Sequence, residues 1–205
     1  MFPRARNEHW RSWLGSLLLL AACQQLAAAG LIKAKAWLAP VLIEQAWTES
    51  LERGGLPVKP WPWADTWPVA RLRVPGRKLE RLVLAGDSGN ALAFGPGHAL
   101  ASSALGGAGL AVIGGHRDTH FAFLQHLLPG EQIQLQLPDR SWREYRVETI
   151  EVVDSSRQSL ARDTEVERLL LVTCYPFDAL RANGPLRYVI AARPESAFQM
   201  LSRRM

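Results

Sequence analysis

Two hydrophobic patterns divide the chain. Across residues 13–32 apolar side chains run almost without interruption, broken only by Ser16, Gln24, Gln25 and small residues. About 20 residues at about 1.5 Å each match a hydrocarbon core of about 30 Å, so this stretch predicts a transmembrane helix. From Val69 onward the period is two. Residues 71–74, 82–84, 111–113, 132–137, 142–153, 169–174 and 186–192 read as strands, separated by Pro75-Gly76, Gly86-Asp87, Pro129-Gly130 and Pro138-Asp139. Seven or eight short strands predict an all-β domain, a barrel or a sandwich. Two short helices are expected within it, at 121–127 and 164–169.

The connecting segment, 33–68, has a different character. Residues 33–51 are helical in composition, with Trp37 and Trp47 as interfacial or docking rings and Pro40 expected to kink or restart the helix. Gly54-Gly55, Pro57, Pro60, Trp61-Pro62-Trp63 and Trp67-Pro68 then predict a stiff spacer whose tryptophans pack on the domain. The expected organisation is a cytoplasmic segment 1–12, an anchor 13–32, an amphipathic helix and spacer 33–68, a catalytic domain 69–195 and a tail 196–205.

Charge sets the orientation. Arg4, Arg6 and Arg11 precede the apolar span and only Lys33 and Lys35 closely follow it, which favours a cytoplasmic N-terminus and an exported remainder. Leu20-Ala21-Ala22-Cys23 also resembles a lipoprotein cleavage box, which would lipidate Cys23. The apolar run continues to Ile32, beyond what a mature lipoprotein start needs, and this favours an uncleaved anchor. The net charge of +5 is concentrated toward the N-terminus, and the charges of the β-rich part are interspersed, which argues against nucleic acid as a partner.

The two cysteines, Cys23 and Cys174, lie in segments too different to pair in a disulfide. Cys174 ends an apolar strand, either as a small core residue or as a nucleophile. Among five histidines, His116 also ends a strand, after Val112-Ile113-Gly114-Gly115. A thiol nucleophile needs a group to manage protons and a donor for the negative charge that develops on the attacked carbonyl. His116 and Arg187 would supply these, the latter through its permanent charge and rigid fork of donors. Arg117, Arg181 and Arg193 are rivals to Arg187. Thr173, Tyr175 and Asp118 are candidates to line a substrate groove, with Asp118 alternatively capping the turn before Phe121. No ligand spacing for zinc is present, so no metal and no other cofactor is expected.

Leu-Val-Thr-Cys-Tyr-Pro at 171–176, Arg187 on the next strand, Gly-Gly-His-Arg-Asp-Thr-His-Phe at 114–121 and Leu-Leu-Pro-Gly-Glu-Gln-Ile at 127–133 together resemble the sortases, membrane-anchored cysteine transpeptidases. The resemblance covers about 82–193. Lys35-Ala36-Trp37-Leu38-Ala39 and Glu44-Gln45-Ala46-Trp47 further resemble the single-target sortases of Gram-negative bacteria. It implies an eight-stranded β-barrel with Cys174 as nucleophile, His116 as proton carrier and Arg187 as oxyanion stabiliser. It also implies cleavage of a Leu-Pro-x-Thr-Gly-like sorting signal after Thr, through a thioester that is passed to an amine. The family's Thr-Leu-x-Thr-Cys reads Leu170-Leu171-Val172-Thr173-Cys174, with Leu in the first place. A hydrolase using the same residues and a non-catalytic, membrane-tethered β-domain are the alternatives.

Overall fold

A computed structural model describes residues 9–87, 89–157, 166–179 and 184–195. The chain forms two compact units, Met1–Val41 and Leu42–Met205, and helix α1 (His9–Glu52) contributes to both. In the first unit, Ser12–Gly30 is long and apolar enough to cross a membrane, with a mean hydropathy of 1.4 and none of it buried. The helix runs through Pro40 rather than restarting there. Proline removes one hydrogen bond and clashes with the preceding turn. The residues that follow it compensate by docking: Ile43, Ala46, Trp47 and Ser50 are buried, and Glu44 pairs with Arg71.

The second unit holds a closed barrel built from β1 (Pro68–Val74), β2 (Leu79–Ala85), β3 (Gly97–His98), β4 (Leu110–Gly114), β5 (Gln132–Gln136), β6 (Trp142–Asp154), β7 (Arg168–Cys174) and β8 (Leu186–Pro194). The order around it is β1-β2-β3-β4-β7-β8-β6-β5, and pairing of β5 with β1 closes it, leaving no long unpaired edge. Neighbours are antiparallel except β2 with β3 and β4 with β7. Alternation fills the interior: Leu72, Val83, Ile113, Ile133, Leu135, Tyr145, Leu171 and Ile190 are among the buried side chains of one continuous core.

Three local expectations change. The Gly95-Pro96-Gly97-His98 turn contains the eighth strand, β3, pairing Leu84 with Gly97 and Gly97 with Gly114. Only glycine fits at 97, since a Cβ there would lie 2.1 Å from the Gly86 carbonyl oxygen. Of the helix expected over 164–169, the first two residues lie outside the described residues, while Arg168 and Leu169 open β7. Parallel pairing of Leu110 with Arg168 and of Ala111 with Leu169 overrides the local helical composition. The segment 121–127 does form a helix, of the 3-10 kind over Ala122–His126, pinned by buried Phe121 and Leu124. Of the spacer tryptophans, Trp61 packs edge-to-face on Phe94 at 5.3 Å, whereas Trp63 is 81% exposed.

Candidate active site

The ends of β4 and β7 and the start of β8 meet at one end of the barrel. Along β7, Leu169, Leu171 and Thr173 point inward, which leaves Leu170, Val172 and Cys174 on the outer face; along β8, Ile190 and Ala192 point inward and Arg187, Val189 and Ala191 outward. Cys174 pairs across the ladder with Arg187. The Tyr175 amide donates to the Leu186 carbonyl at 3.0 Å, which makes Tyr175 and Leu186 a hydrogen-bonded pair. Cys174 and Arg187 are therefore a non-hydrogen-bonded pair, the type in which Cα atoms stand about 4.5 Å apart and side chains come closest. The thiol is half-buried. The Arg187 Nη1 donates to the carbonyls of Gly184 at 2.7 Å and Leu186 at 3.0 Å. These bonds fix the guanidinium, yet no carboxylate neutralises it among the described residues.

His116 follows the end of β4, the strand that neighbours β7. Gly114 pairs with Val172, and the Gly115 amide donates to the Val172 carbonyl at 3.1 Å, the bond that closes this last bridge of the parallel ladder. Two positions past Gly114, His116 begins the loop that leaves β4, and two past Val172 stands Cys174, the last residue of β7. Two features hold this register. The Thr173 hydroxyl, buried inside the barrel, donates to the Gly115 carbonyl at 2.7 Å. The Phe121 ring lies against Gly115 so closely that a Cβ there would stand 2.7 Å from it. The Phe121 amide then donates to the His116 carbonyl at 2.9 Å, closing the loop and leaving the imidazole side chain exposed.

The other candidates separate. Thr173 faces the core, so its hydroxyl ties two strands together and does not line an outer groove. Tyr175 stacks on Tyr188 with centroids 6.1 Å apart and planes at 16°, and Phe177 meets Tyr188 edge-on at 5.1 Å. Asp118 is exposed. Of the rival arginines, Arg117 donates from Nη2 to the Ala179 carbonyl at 2.5 Å, Arg193 pairs with Glu148 near the far end of β8, and Arg181 lies outside the described residues. His98 is buried, with Nε2 2.9 Å from the Ser103 carbonyl. Among the described residues no group of three or more His, Cys, Asp or Glu gathers to hold a metal.

Three neighbours of the site escaped sequence reasoning. His120 is held below its ordinary pKa of 6.5, chiefly by burial, with Arg81 and His116 adding to the effect and the Ala93 backbone and Asp118 opposing it. It stands four residues after His116. Tyr188 and Phe177, whose rings meet edge-on, are the other two. Burial raises the Tyr188 phenol, and the neighbouring Tyr175 adds to this.

Residues 72–195 match the sortase domain family. Over 122 residues the chain is 34% identical to Sortase D of Bacillus subtilis (strain 168), a match spanning 58% of this chain and 60% of that protein, so that less than two thirds of that relative is covered. Among solved structures, a Clostridium perfringens Sortase D5 transpeptidase matches with a TM-score of 0.58 at 17% identity, covering 74% of this chain and 92% of the other. Sortase C-1 from Actinomyces oris matches with a TM-score of 0.53 at 23% identity, covering 62% and 72% respectively. These two likenesses concern the fold. The family match, however, takes in more than half of the chain and includes β4, β7 and β8 together with His116, Cys174 and Arg187: the chain belongs to the sortase family.

Proposed function

We propose that this chain is a membrane-anchored cysteine transpeptidase in which Cys174, His116 and Arg187 perform the chemistry. The observation that carries the proposal is the direct cross-strand pairing of Cys174 with Arg187, whose charge meets only backbone carbonyls among the described residues. In the first half-reaction the Cys174 thiolate attacks the carbonyl carbon of the scissile peptide bond. Negative charge develops on the carbonyl oxygen, where Arg187 donates to it. As the C–N bond breaks, His116 delivers a proton to the departing amine, leaving an acyl thioester on Sγ. In the second half-reaction an amine attacks that carbonyl, His116 takes up its proton, and the thiolate leaves. Thr173 acts by holding the His116 and Cys174 segments in register. Asp118 flanks the substrate, and Tyr175, stacked on Tyr188, acts through the segment that carries Cys174.

The substrate is a protein carrying a C-terminal sorting signal similar to Leu-Pro-x-Thr-Gly, and the acceptor is an amine. Beside Cys174 the outer face of β7 and β8 carries Leu170, Val172, Val189 and Ala191, of which Leu170 and Val189 are buried, and this apolar character is in keeping with a peptide of aliphatic side chains. The resemblance of the 35–47 region supports the single-target type of Gram-negative bacteria. The apolar span supports a single-pass anchor at 13–32 in the cytoplasmic membrane, with 1–12 cytoplasmic, the spacer 33–68 and the catalytic domain 69–195 on the periplasmic side, and 196–205 as a tail. Intact-mass analysis of the membrane form tests the anchor: a full-length chain supports it, whereas a chain beginning at Cys23 with added diacylglycerol replaces it by a lipid anchor.

The test of function is incubation of the chain with a library of sorting-signal peptides and a set of amines, with products read by mass spectrometry. Amide-linked products support transpeptidation, and free acids alone indicate a hydrolase. No cleavage of any peptide, with Cys174→Ala indistinguishable from the parent, overturns the enzyme.

A further inference from the structure

Each of the three reactive residues is followed by one that belongs to a second, linked set. Arg117 follows His116, Tyr175 follows Cys174, and Tyr188 follows Arg187. Alternation turns Tyr188 toward the side of β8 opposite Arg187. There Tyr188 takes Tyr175 on its face and Phe177 on its edge, and Tyr175 and Phe177 themselves meet at right angles with centroids 6.4 Å apart. Phe177 and Tyr188 also pack against the barrel core. This cluster fixes the segment after Cys174 onto β8. The Ala179 amide approaches the Pro176 carbonyl at 3.4 Å, so Ala179 turns back within the same segment. Its carbonyl accepts the Arg117 Nη2 hydrogen bond at 2.5 Å, a contact made across 62 positions of sequence.

From this we propose that Arg117 is a positioning residue for the reaction: it locks the His116 loop to the segment that carries Cys174, and so sets the placement of the imidazole relative to the thiol. The idea rests on the proposed Cys174–His116 chemistry and extends it. Thr173 already ties the two strands on the inner side through the Gly115 carbonyl. Thr173 acts before His116, at the strand, and Arg117 acts after it, in the loop. His116 thus lies between two fixed points, and only the second is made by a charged donor. A hydrogen bond from guanidinium to carbonyl is stronger than a neutral one. Displacement of a reacting group by about 1 Å costs roughly 100-fold in rate, so a tether that closes this loop has a large effect on turnover even though it touches no substrate.

The experiment reads thiol chemistry rather than peptide turnover. The full chain in detergent is treated with iodoacetamide across a range of pH, and alkylation is followed on the Cys174 peptide by mass spectrometry, so that Cys23 does not contribute. The parent, H116N, R117M, R117K and F177A are compared, with circular dichroism confirming the fold. R117M is expected to move the parent profile toward that of H116N, with roughly tenfold of change in rate at neutral pH, while R117K, which keeps a cationic donor, stays within about threefold of the parent. F177A, which loosens the acceptor segment, should resemble R117M, and the double variant R117M/F177A should be no worse than either alone. An R117M profile that overlies the parent while H116N differs overturns the role of Arg117, as does an additive double variant. If R117M does not fold, a parent-like F177A profile overturns it instead. An H116N profile that itself overlies the parent removes the Cys174–His116 pairing, and the role of Arg117 falls with it.

Discussion

Strand β8 carries an arginine near each end, and the two are held in opposite ways. Arg193 pairs with Glu148, which also binds Arg168 at 3.2 Å, and its ladder neighbour Arg146 is clasped by Glu195 at 2.9 and 2.6 Å. At the other end Arg187 donates to the carbonyls of Gly184 and Leu186 and meets no carboxylate among the described residues. A cation matched to a carboxylate is spent on holding the fold. One oriented by neutral carbonyls keeps its charge for a visiting anion. The difference between the two ends lies in partners and not in residue type.

Exchange of the two arginines for methionine is the sharpest way to break this comparison. R187M should lower the rate of acyl-enzyme formation roughly 100- to 1,000-fold, as loss of an oxyanion donor does, with the melting temperature almost unchanged. R193M should leave the rate per folded molecule within about twofold of the parent and lower stability by about 1 kcal/mol, the scale of a partly exposed pair, read from urea denaturation. Equal rate losses in both would end the distinction drawn here.

Smaller effects test how the reactive end is held. Gly115→Ala would push a methyl into the Phe121 ring, so a loss of about 1–3 kcal/mol is expected, together with reduced acylation because His116 is the next residue. Thr173→Val leaves the Gly115 carbonyl without its buried donor and should cost about 1–2 kcal/mol, with Thr173→Ser close to the parent. The smallest effect concerns pH. The folded pKa of His120 lies below its unfolded value of about 6.5, so below that pH the unfolded chain takes up the proton first. The stability linked to His120 is therefore present above about pH 6.5 and lost as pH falls toward the folded value. His120→Gln should flatten this part of the decline in urea midpoint between pH 7 and 5.5; an unchanged slope would remove His120 as its source.

Much of the barrel was legible because alternation is a local signal. Seven strands announce themselves through period two, and β7 and β8 do so with long apolar runs. Strand β3 does not, because two residues carry no period and its existence depends on Leu84 and Gly114 arriving beside Gly97. The helical composition around 164–169 misled for the same reason, since the partner strand β4 decides the conformation of Arg168 and Leu169. At the site, residue chemistry singled out Cys174, His116 and Arg187. Their alignment was not legible, because a loop of given length permits more than one register and a shift by one residue would turn Arg187 to the inner face. The place at the start of the strand favoured Arg187 over Arg193, and the structure adds a physical difference between them, the pairing of Arg193 with Glu148 from β6. Thr173 adjoins Cys174, but alternation along the strand already turns it from the face of Cys174, and the structure buries it there. Leu170, on the outer face opposite Val112 and Ala191, is buried among apolar neighbours, a place its position in the motif alone did not explain.

The most direct test is the intact mass of the full chain mixed with a Leu-Pro-x-Thr-Gly-like peptide and quenched in acid before an amine is added. The account predicts an adduct equal to the peptide's N-terminal acyl fragment, mapped to Cys174, released by hydroxylamine and absent from Cys174→Ala. An adduct of the same mass on Cys174→Ala, or cleavage of the peptide by that variant at the parent's rate, would contradict it.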